Sequence, residues 1–354
     1  MGMEPRVGVV GIGWSGFSPT TSGVSYKELM FEAARTAYAD AGIDARTEID
    51  SFVCASEDFE EGTSIFDEYV PDQLGAVQRP VQTVASDGLF AIATAVMLIR
   101  SGIARIVAVE AHSKASDVIS HGRIERFALD PVLNRPLGVP ALAVAGLEMR
   151  RYLHESGRTA AECAEVATRN REHAATNPRA AYADVADPTL LFDPLTSEET
   201  ARSTDGCVVA VLSTEDRGHH ASVWVDGVGW SQDAPSLESR HWGEAVAARR
   251  AGEMAYGQAD VTPNDVDSAE VDDTFAYKQL QHLDALGLHG LDPARVNRSG
   301  GALGEGHLHE ANGLARFLAC VEQLRAGDGR IGVVQSWRGV PSSSAAAAVL
   351  RGSG

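Results

Sequence analysis

The chain carries part of itself twice. The segment from Gly88 to Val109 (GLFAIATAVMLIRSGIARIVAV) returns 225 residues later, from Gly313 to Val334 (GLARFLACVEQLRAGDGRIGVV). Gly88/Gly313, Leu89/Leu314, Val96/Val321, Arg100/Arg325, Gly102/Gly327, Arg105/Arg330, Ile106/Ile331 and Val109/Val334 coincide without a gap. Each copy reads as a buried helix, a glycine stop and a hydrophobic strand. An upstream echo accompanies each: residues 33–53 resemble residues 248–271, with Ile49-Asp50-Ser51 answered 217 residues later by Val266-Asp267-Ser268. Solenoid repeats recur every 20 to 50 residues or so. A spacing this long predicts two similar α/β halves.

Other features bound the function. A chain of 354 residues with 44% hydrophobic content can bury a full core. No apolar run reaches the roughly 18 residues of a membrane helix, and no basic-then-apolar leader opens the chain, so neither a membrane span nor a secretion signal is expected. Cys54, Cys163, Cys207 and Cys320 are scattered without a C-x-x-C pair. Zinc binding and a disulfide framework are therefore not expected, and a reducing cytoplasm is. A net charge of −19 argues against nucleic acid or an anionic membrane surface as partner.

Along the first half, a strand is expected near Val7–Val10, a helix over Ser25–Ala41, and strands near Ser51–Ala55 and Val81–Val84. The first repeated helix and strand follow. Residues 115–200 interrupt this pattern with an amphipathic helix near 160–175 and read as an inserted loop subdomain. The expected division is an N-terminal half over 1–221 and a C-terminal half over 222–354. Alternating strands and helices in both predict layered α/β sheets.

Two glycine motifs stand out. Gly11-Ile12-Gly13-Trp14-Ser15-Gly16 matches G-x-G-x-x-G, but a dinucleotide site needs a helix to begin at that loop. Here the helix waits until about Ser25, so the motif reads as a strand-end loop. Asn297-Arg298-Ser299-Gly300-Gly301-Ala302-Leu303-Gly304-Glu305-Gly306-His307 lacks the Lys-Ser/Thr of a phosphate loop. Its glycine density predicts tight backbone approach, with one imidazole presented at the turn or capping a helix.

At these residues the chain resembles the thiolase superfamily, in particular its sterol-carrier-protein-x branch. NRSGGALGEGHLHEANG is similar to the family's N-x-x-G-G-x-x-x-x-G-H-P-x-G-x-x-G loop. Val271-Asp272-Asp273-Thr274-Phe275-Ala276 resembles its His-Asp-x-Phe or Asn-Glu-Ala-Phe strand end. Thr204-Asp205-Gly206-Cys207 resembles S-D-G-A, and Arg150-Arg151-Tyr152 with Asn177-Pro178 resembles its loop-domain helix and N-P turn. The resemblance implies the thiolase fold: two duplicated βαβαβαββ halves in five layers, αβαβα, with an inserted loop subdomain. It implies an acyl-CoA substrate and no further cofactor or metal. It also implies a substrate and oxyanion loop at Gly300, Gly301, Gly306 and Gly339, with catalytic candidates at His307, Asp272, Asp273 and position 85.

The departures carry as much information. The family's nucleophilic cysteine opens C-A-S-G at the first repeated helix, where helix-end electrostatics favour a thiolate. That place is Ala85 here, in Ala85-Ser86-Asp87-Gly88. Ser86 is the nearest hydroxyl and reads as the helix N-cap, and Asp87 as an electrostatic complement of the helix end. Gln335-Ser336-Trp337-Arg338-Gly339-Val340 lacks the C-x-G-x-G acid/base cysteine of degradative thiolases. Asp272 stands where the sterol-carrier branch carries His. His307 is retained, whereas the aldolases of this fold carry Tyr there.

Three readings follow. One is acyl transfer or thiolysis of a 3-ketoacyl-CoA in lipid or sterol side-chain catabolism, with Ala85 standing in for an original cysteine. Another is cysteine-independent retro-aldol cleavage of a 3-hydroxyacyl-CoA. The third is a non-catalytic subunit. The resemblance implies a homodimer, or a heterodimer with a thiolase homologue, and also admits a small zinc-ribbon/OB-fold partner.

Weaker candidates close the reading. His309 forms His-x-His with His307, but no third metal ligand is near, so loop packing or solvent is expected. Tyr277 is either a proton donor or a packing aromatic. His112 and Lys114 line a substrate channel or sit in a solvated loop, and His219-His220 lies in an exposed turn.

Overall fold

The structure, a computed structural model, describes residues 5–57, 69, 71–118, 121–184, 188–214, 221–234, 236–339 and 343–353. In the first half, β1 (Val7–Ser18) leads to α1 (Tyr26–Ala41), β2 (Ser51–Ala55), β3 (Val81–Val84), α2 (Gly88–Arg100) and β4 (Ile106–Ser113). The interrupting region holds α3 (Ala141–Ser156), α4 (Ala160–Ala174) and the two-stranded ribbon of β5 (Leu190–Phe192) and β6 (Leu195–Thr196). β7 (Asp205–Thr214) returns to the sheet. Then come β8 (Val223–Gln232), α5 (Val246–Ala259), β9 (Ser268–Glu270), α6 (Ala276–Ala285), the short α7 (Gly301–Glu305), α8 (Asn312–Arg325), β10 (Ile331–Arg338) and β11 (Ser344–Gly352).

Nine strands form one continuous mixed sheet in the order β3-β2-β4-β7-β1-β8-β11-β10-β9. Its seam is short: β1 and β8 pair antiparallel only at Gly8–Trp224 and Val9–Val223. Outward from that seam the order is mirrored. β1, β7, β4, β2 and β3 on one side are matched by β8, β11, β10 and β9 on the other. The fifth place is taken by Val296, which bridges parallel to Ala269. The internal repeat is thus a repeat of topology.

Packing turns this sheet into five layers. α2 and α8, the two copies of the repeated helix, share one core with the inner faces of both sheet halves. There Leu89, Ile92, Val96 and Ile99 meet Leu314, Phe317 and Val321. Burying each such side chain contributes about 1.5–3 kcal/mol. α1 covers the outer face of the first half through Leu29, Met30, Ala33 and Ala37. α5 and α6 cover the outer face of the second through Ala251, Ala255, Leu283 and Leu286. This is the thiolase fold. Among the described residues no helix is long and apolar enough to cross a membrane.

One expectation is corrected. Gly11-Ile12-Gly13-Trp14-Ser15-Gly16 is not a strand-end loop but lies wholly within β1. A Cβ on Gly11 would meet the Ala37 carbonyl oxygen, and one on Gly13 the Ala33 carbonyl oxygen. The glycines let α1 lie directly on the strand. Gly227 and Gly229 do the same on β8, against the carbonyl oxygens of Ala255 and Ala251 in α5.

Candidate active site

The glycine-rich loop is held by buried charge. Arg316, fully buried on α8, pairs with Glu270 at the end of β9 (3.4 Å) and with Glu305 on α7, and donates to Ser299 Oγ at 2.8 Å. Burial alone would lower the pKa of its guanidinium, but the Glu305 and Glu270 carboxylates outweigh that and raise it. Glu305 also accepts from Arg179 Nε (2.9 Å) and Asn177 Nδ2 (2.8 Å). Asn297 stitches the loop to the chain after β9, accepting from Val271 N at 2.7 Å and donating to Val271 O at 3.0 Å.

Asp273 holds the start of α7. Its Oδ1 accepts from Ala302 N (2.6 Å), and its Oδ2 from Leu303 N (3.2 Å) and Asn170 Nδ2 (2.7 Å). Burial pushes its pKa up to about 7, against the pull of Arg316. Gly301, at φ +62°, has no room for a Cβ beside that carboxylate. Gly300 (φ +101°) packs on Ala174 of α4, and Gly306 (φ +97°) on the Thr204 side chain. These three glycines answer to neighbouring protein atoms. Gly339 is half-buried just past the end of β10.

This framework presents His307. Its N–H donates to Arg202 O (2.8 Å) and its carbonyl accepts from Thr204 N (3.0 Å), fixing the backbone at both ends. Its ring is partly buried and has no hydrogen-bond partner among the described residues, so both ring nitrogens are uncommitted. Burial, followed by the neighbouring His309, Arg338, His121 and Arg316, holds its pKa well below the usual histidine range. The imidazole is neutral at ordinary pH. Arg338, at the end of β10, is itself bracketed by Glu57 (2.7 Å) and Glu310 (2.8 Å).

The two helix starts meet nearby, and the meeting corrects a second expectation. The N-cap of α2 is Asp87, not Ser86: Asp87 Oδ1 accepts from Leu89 N at 2.8 Å. Its Oδ2 reaches across to Gly313 N at the start of α8, at 2.7 Å. A Cβ on Gly88 would lie 2.7 Å from Leu314 Cβ, so glycine permits this approach. Burial raises the Asp87 carboxyl to about 6, against the N–H bonds it accepts. Ala85 lies two residues before this clasp, exposed, just past β3. Asp272 is buried on the α8 side, where its Oδ2 accepts from Asn312 Nδ2 (2.6 Å) and its Oδ1 from Thr274 N (3.0 Å). Burial raises its pKa too.

The remaining described candidates are tied into the framework. His112 is buried on β4 with Nδ1 2.8 Å from Glu110 Oε1, and Lys114 pairs with buried Asp205 at 2.7 Å. Tyr277 is buried and donates to Glu148 Oε2 at 2.8 Å. His219 and His220 lie outside the described residues. All four cysteines are buried and outside any disulfide, on β2, α4, β7 and α8. Burial pushes the Cys163 thiol up to about 12 and that of Cys320 higher still. Among the described residues no cluster of three or more His, Cys, Asp or Glu is arranged to hold a metal.

Sequence reasoning missed Asp87 as the clasp and Arg316 as the anchor, although both had signals. Asp ranks with Ser as an N-cap. Arg316 falls where the first copy of the repeat has Ala91.

Comparison with known proteins agrees with this fold. Residues 229–295 match the family model "Thiolase C-terminal domain-like". The chain is 26% identical over 358 residues to an acetyl-CoA acetyltransferase of Methanothermobacter thermautotrophicus, covering 92% of each protein. It is 27% identical over 381 residues to a steroid side-chain-cleaving aldolase of Thermomonospora curvata, covering 95% of this chain and 96% of that one. Human mitochondrial 3-ketoacyl-CoA thiolase in complex with CoA superposes over 100% of both chains with a TM-score of 0.82 at 16% identity.

Proposed function

The chain belongs to the thiolase superfamily, in its sterol-carrier-protein-x-like branch, and from that premise we propose that it cleaves a carbon–carbon bond in an acyl-CoA without forming an acyl-enzyme. One observation carries this reading. Ala85 stands where the motif resemblance puts the family nucleophile, all four cysteines are buried in helices and strands, and yet His307 keeps a neutral ring whose nitrogens have no hydrogen-bond partner among the described residues. A methyl group cannot be acylated, whereas a neutral imidazole can accept a proton.

The reaction that fits is retro-aldol cleavage of a 3-hydroxyacyl-CoA with a tertiary β-carbon. His307 takes the β-hydroxyl proton. The O–H electron pair becomes the second bond of a ketone, and the Cα–Cβ bond breaks. That pair passes to the thioester as an enolate. The proton on His307 then goes to Cα, giving a shortened acyl-CoA. The starts of α2 and α8, whose Leu89 and Gly313 N–H groups Asp87 already takes, would offer the enolate only their remaining helix-end potential. The steroid-cleaving relative supports the lyase direction. Asp272 and Asp273, whose oxygens are occupied by N–H donors, serve as supports and not as the base.

Assembly belongs to the same reading. β3 is an outermost strand of the sheet and is half-buried along its length. Pairing of such an edge across a two-fold axis makes a dimer, with a second copy or a thiolase homologue. A small zinc-ribbon/OB-fold partner would guide the acyl chain.

The test is turnover of a 3-hydroxyacyl-CoA with a tertiary β-carbon, followed by ketone release. His307→Ala lowers it by roughly 10²- to 10⁴-fold, the weight of one acid–base group. Unchanged turnover in that variant removes His307 from the chemistry.

A further inference from the structure

His307 has a neighbour that the family motif does not account for. His309 sits two residues on with φ +47°, in the left-handed region that non-glycine residues seldom occupy. The turn aims its ring back at His307, whose centroid is 4.8 Å away with the ring planes at 70°. On its other side, His309 stacks on His121 at 4.5 Å and 15°. Its Nε2 is 3.0 Å from the Oγ of Ser203, which lies between Arg202 and Thr204, the two residues that hold the His307 backbone. His121 is tied in turn through Nε2 to Ala115 O at 3.1 Å. A cavity of about 20 Å³ between His121, His309 and Glu310 leaves room for about one water molecule. His309 is therefore fixed by a bond, a stack and a constrained backbone, whereas no hydrogen bond among the described residues fixes the His307 ring.

Resting on the reading of His307 as the base, we propose that His309 is its positioning residue, with His121 as buttress: the stacked pair holds the His307 imidazole edge-on, so that its nitrogens face the substrate. An aromatic wall can do this because edge-to-face contact has a preferred geometry. The row also sits among several charges. Arg338 faces it from β10 between Glu57 and Glu310, Arg316 from α8 and Glu125 from the turn after His121, while Lys114 borders the cavity. Burial lowers His309 to about 4, so it stays neutral and does not compete for the substrate proton.

Three variants of the full-length chain, His309→Ala, His309→Phe and His307→Ala, test this in two ways. Turnover of the 3-hydroxyacyl-CoA gives kcat and KM. Side-chain NMR of ¹³C-histidine-labelled protein reports the His307 ring directly, with or without catalysis. In His309→Ala, kcat should fall about 10-fold with KM within 2-fold of the parent, and the ring-current-shifted His307 signals should move toward averaged positions. In His309→Phe, which keeps a flat ring but no nitrogen, both should return to within about 3-fold of the parent. If His309→Ala does not fold, His309→Leu fills the volume without a ring and carries the same expectation. Unchanged His307 signals in the Ala or Leu variant overturn the proposal, as does a Phe variant as impaired as Ala. Loss of turnover in His307→Ala alone, with full turnover in His309→Ala, refutes the positioning role and keeps the base. Full turnover in His307→Ala refutes the base, and the NMR arm then still decides whether His309 orients the ring.

Discussion

Arg316→Met should loosen the glycine-rich loop by a calculable amount. The substitution keeps the volume of the side chain and removes its charge from between Glu270 and Glu305, leaving two buried carboxylates without their shared cation. Breaking a buried ion pair from one side costs about 3–5 kcal/mol. Here the lower end applies. Glu305 keeps Arg179 and Asn177, and Glu270 keeps Ser299 (2.7 Å) and Gln323 (2.6 Å). With an unfolding entropy of about 2.1 cal/mol/K per residue over 354 residues, a loss of about 3 kcal/mol lowers the melting temperature by about 4 °C. The pH dependence is a second check. Burial already raises the Glu270 pKa above its ordinary 4.5, and Arg316 opposes that rise. Without Arg316 the folded-state pKa climbs further. A carboxyl raised in the folded state destabilises when charged, so the penalty is absent below about 4.5 and grows as pH rises through the new folded pKa. Calorimetry of parent and variant from pH 4 to 8 should show a gap that opens with pH. Equal melting temperatures at pH 7, or a gap independent of pH, would refute the anchoring role.

Other outcomes follow from the same geometry. Gly301→Ala should cost more than 2 kcal/mol or so in urea unfolding, because its Cβ displaces the Asp273 carboxylate, whereas Gly102→Ala, equally left-handed but in open space, should cost only about 1 kcal/mol of backbone strain. The Asp87 carboxyl carbon should titrate in ¹³C NMR with a midpoint near 6 and not near 3.8. Because that pKa is raised on folding, the stability linked to Asp87 is fully present below about 3.8 and is lost as pH rises toward 6; a midpoint near 4 contradicts its burial in the clasp.

The duplication was legible because it rests on apolar spacing and glycine stops, which survive divergence when both copies fill one core. Leu89 and Leu314, or Val96 and Val321, are paired in sequence and share that core in space. The Gly11/Gly13 and Gly227/Gly229 pairs are a third echo, obscured because a G-x-G-x-x-G match invites a nucleotide reading. What separates the readings is the delayed helix: glycines without a helix start beside them served strand–helix packing. In the candidate site, His307 stood out through its glycines, while the groups around it did not. His121 and Ser203 reach the row only through the fold, far from His309 in sequence. Ser86 and Asp87 compete for one capping role, and the sequence alone does not reveal that Asp87 has a second N–H to satisfy, on Gly313.

The central claim, bond cleavage without an acyl-enzyme, is tested most directly by intact-protein mass spectrometry during turnover. The chain is mixed with the 3-hydroxyacyl-CoA and quenched while ketone and shortened acyl-CoA accumulate. The account predicts product with the protein mass unchanged throughout, because Ala85 cannot be acylated and the cysteines are buried. An acyl increment on the chain that forms and decays with turnover, at Ser86 or anywhere else, would contradict it.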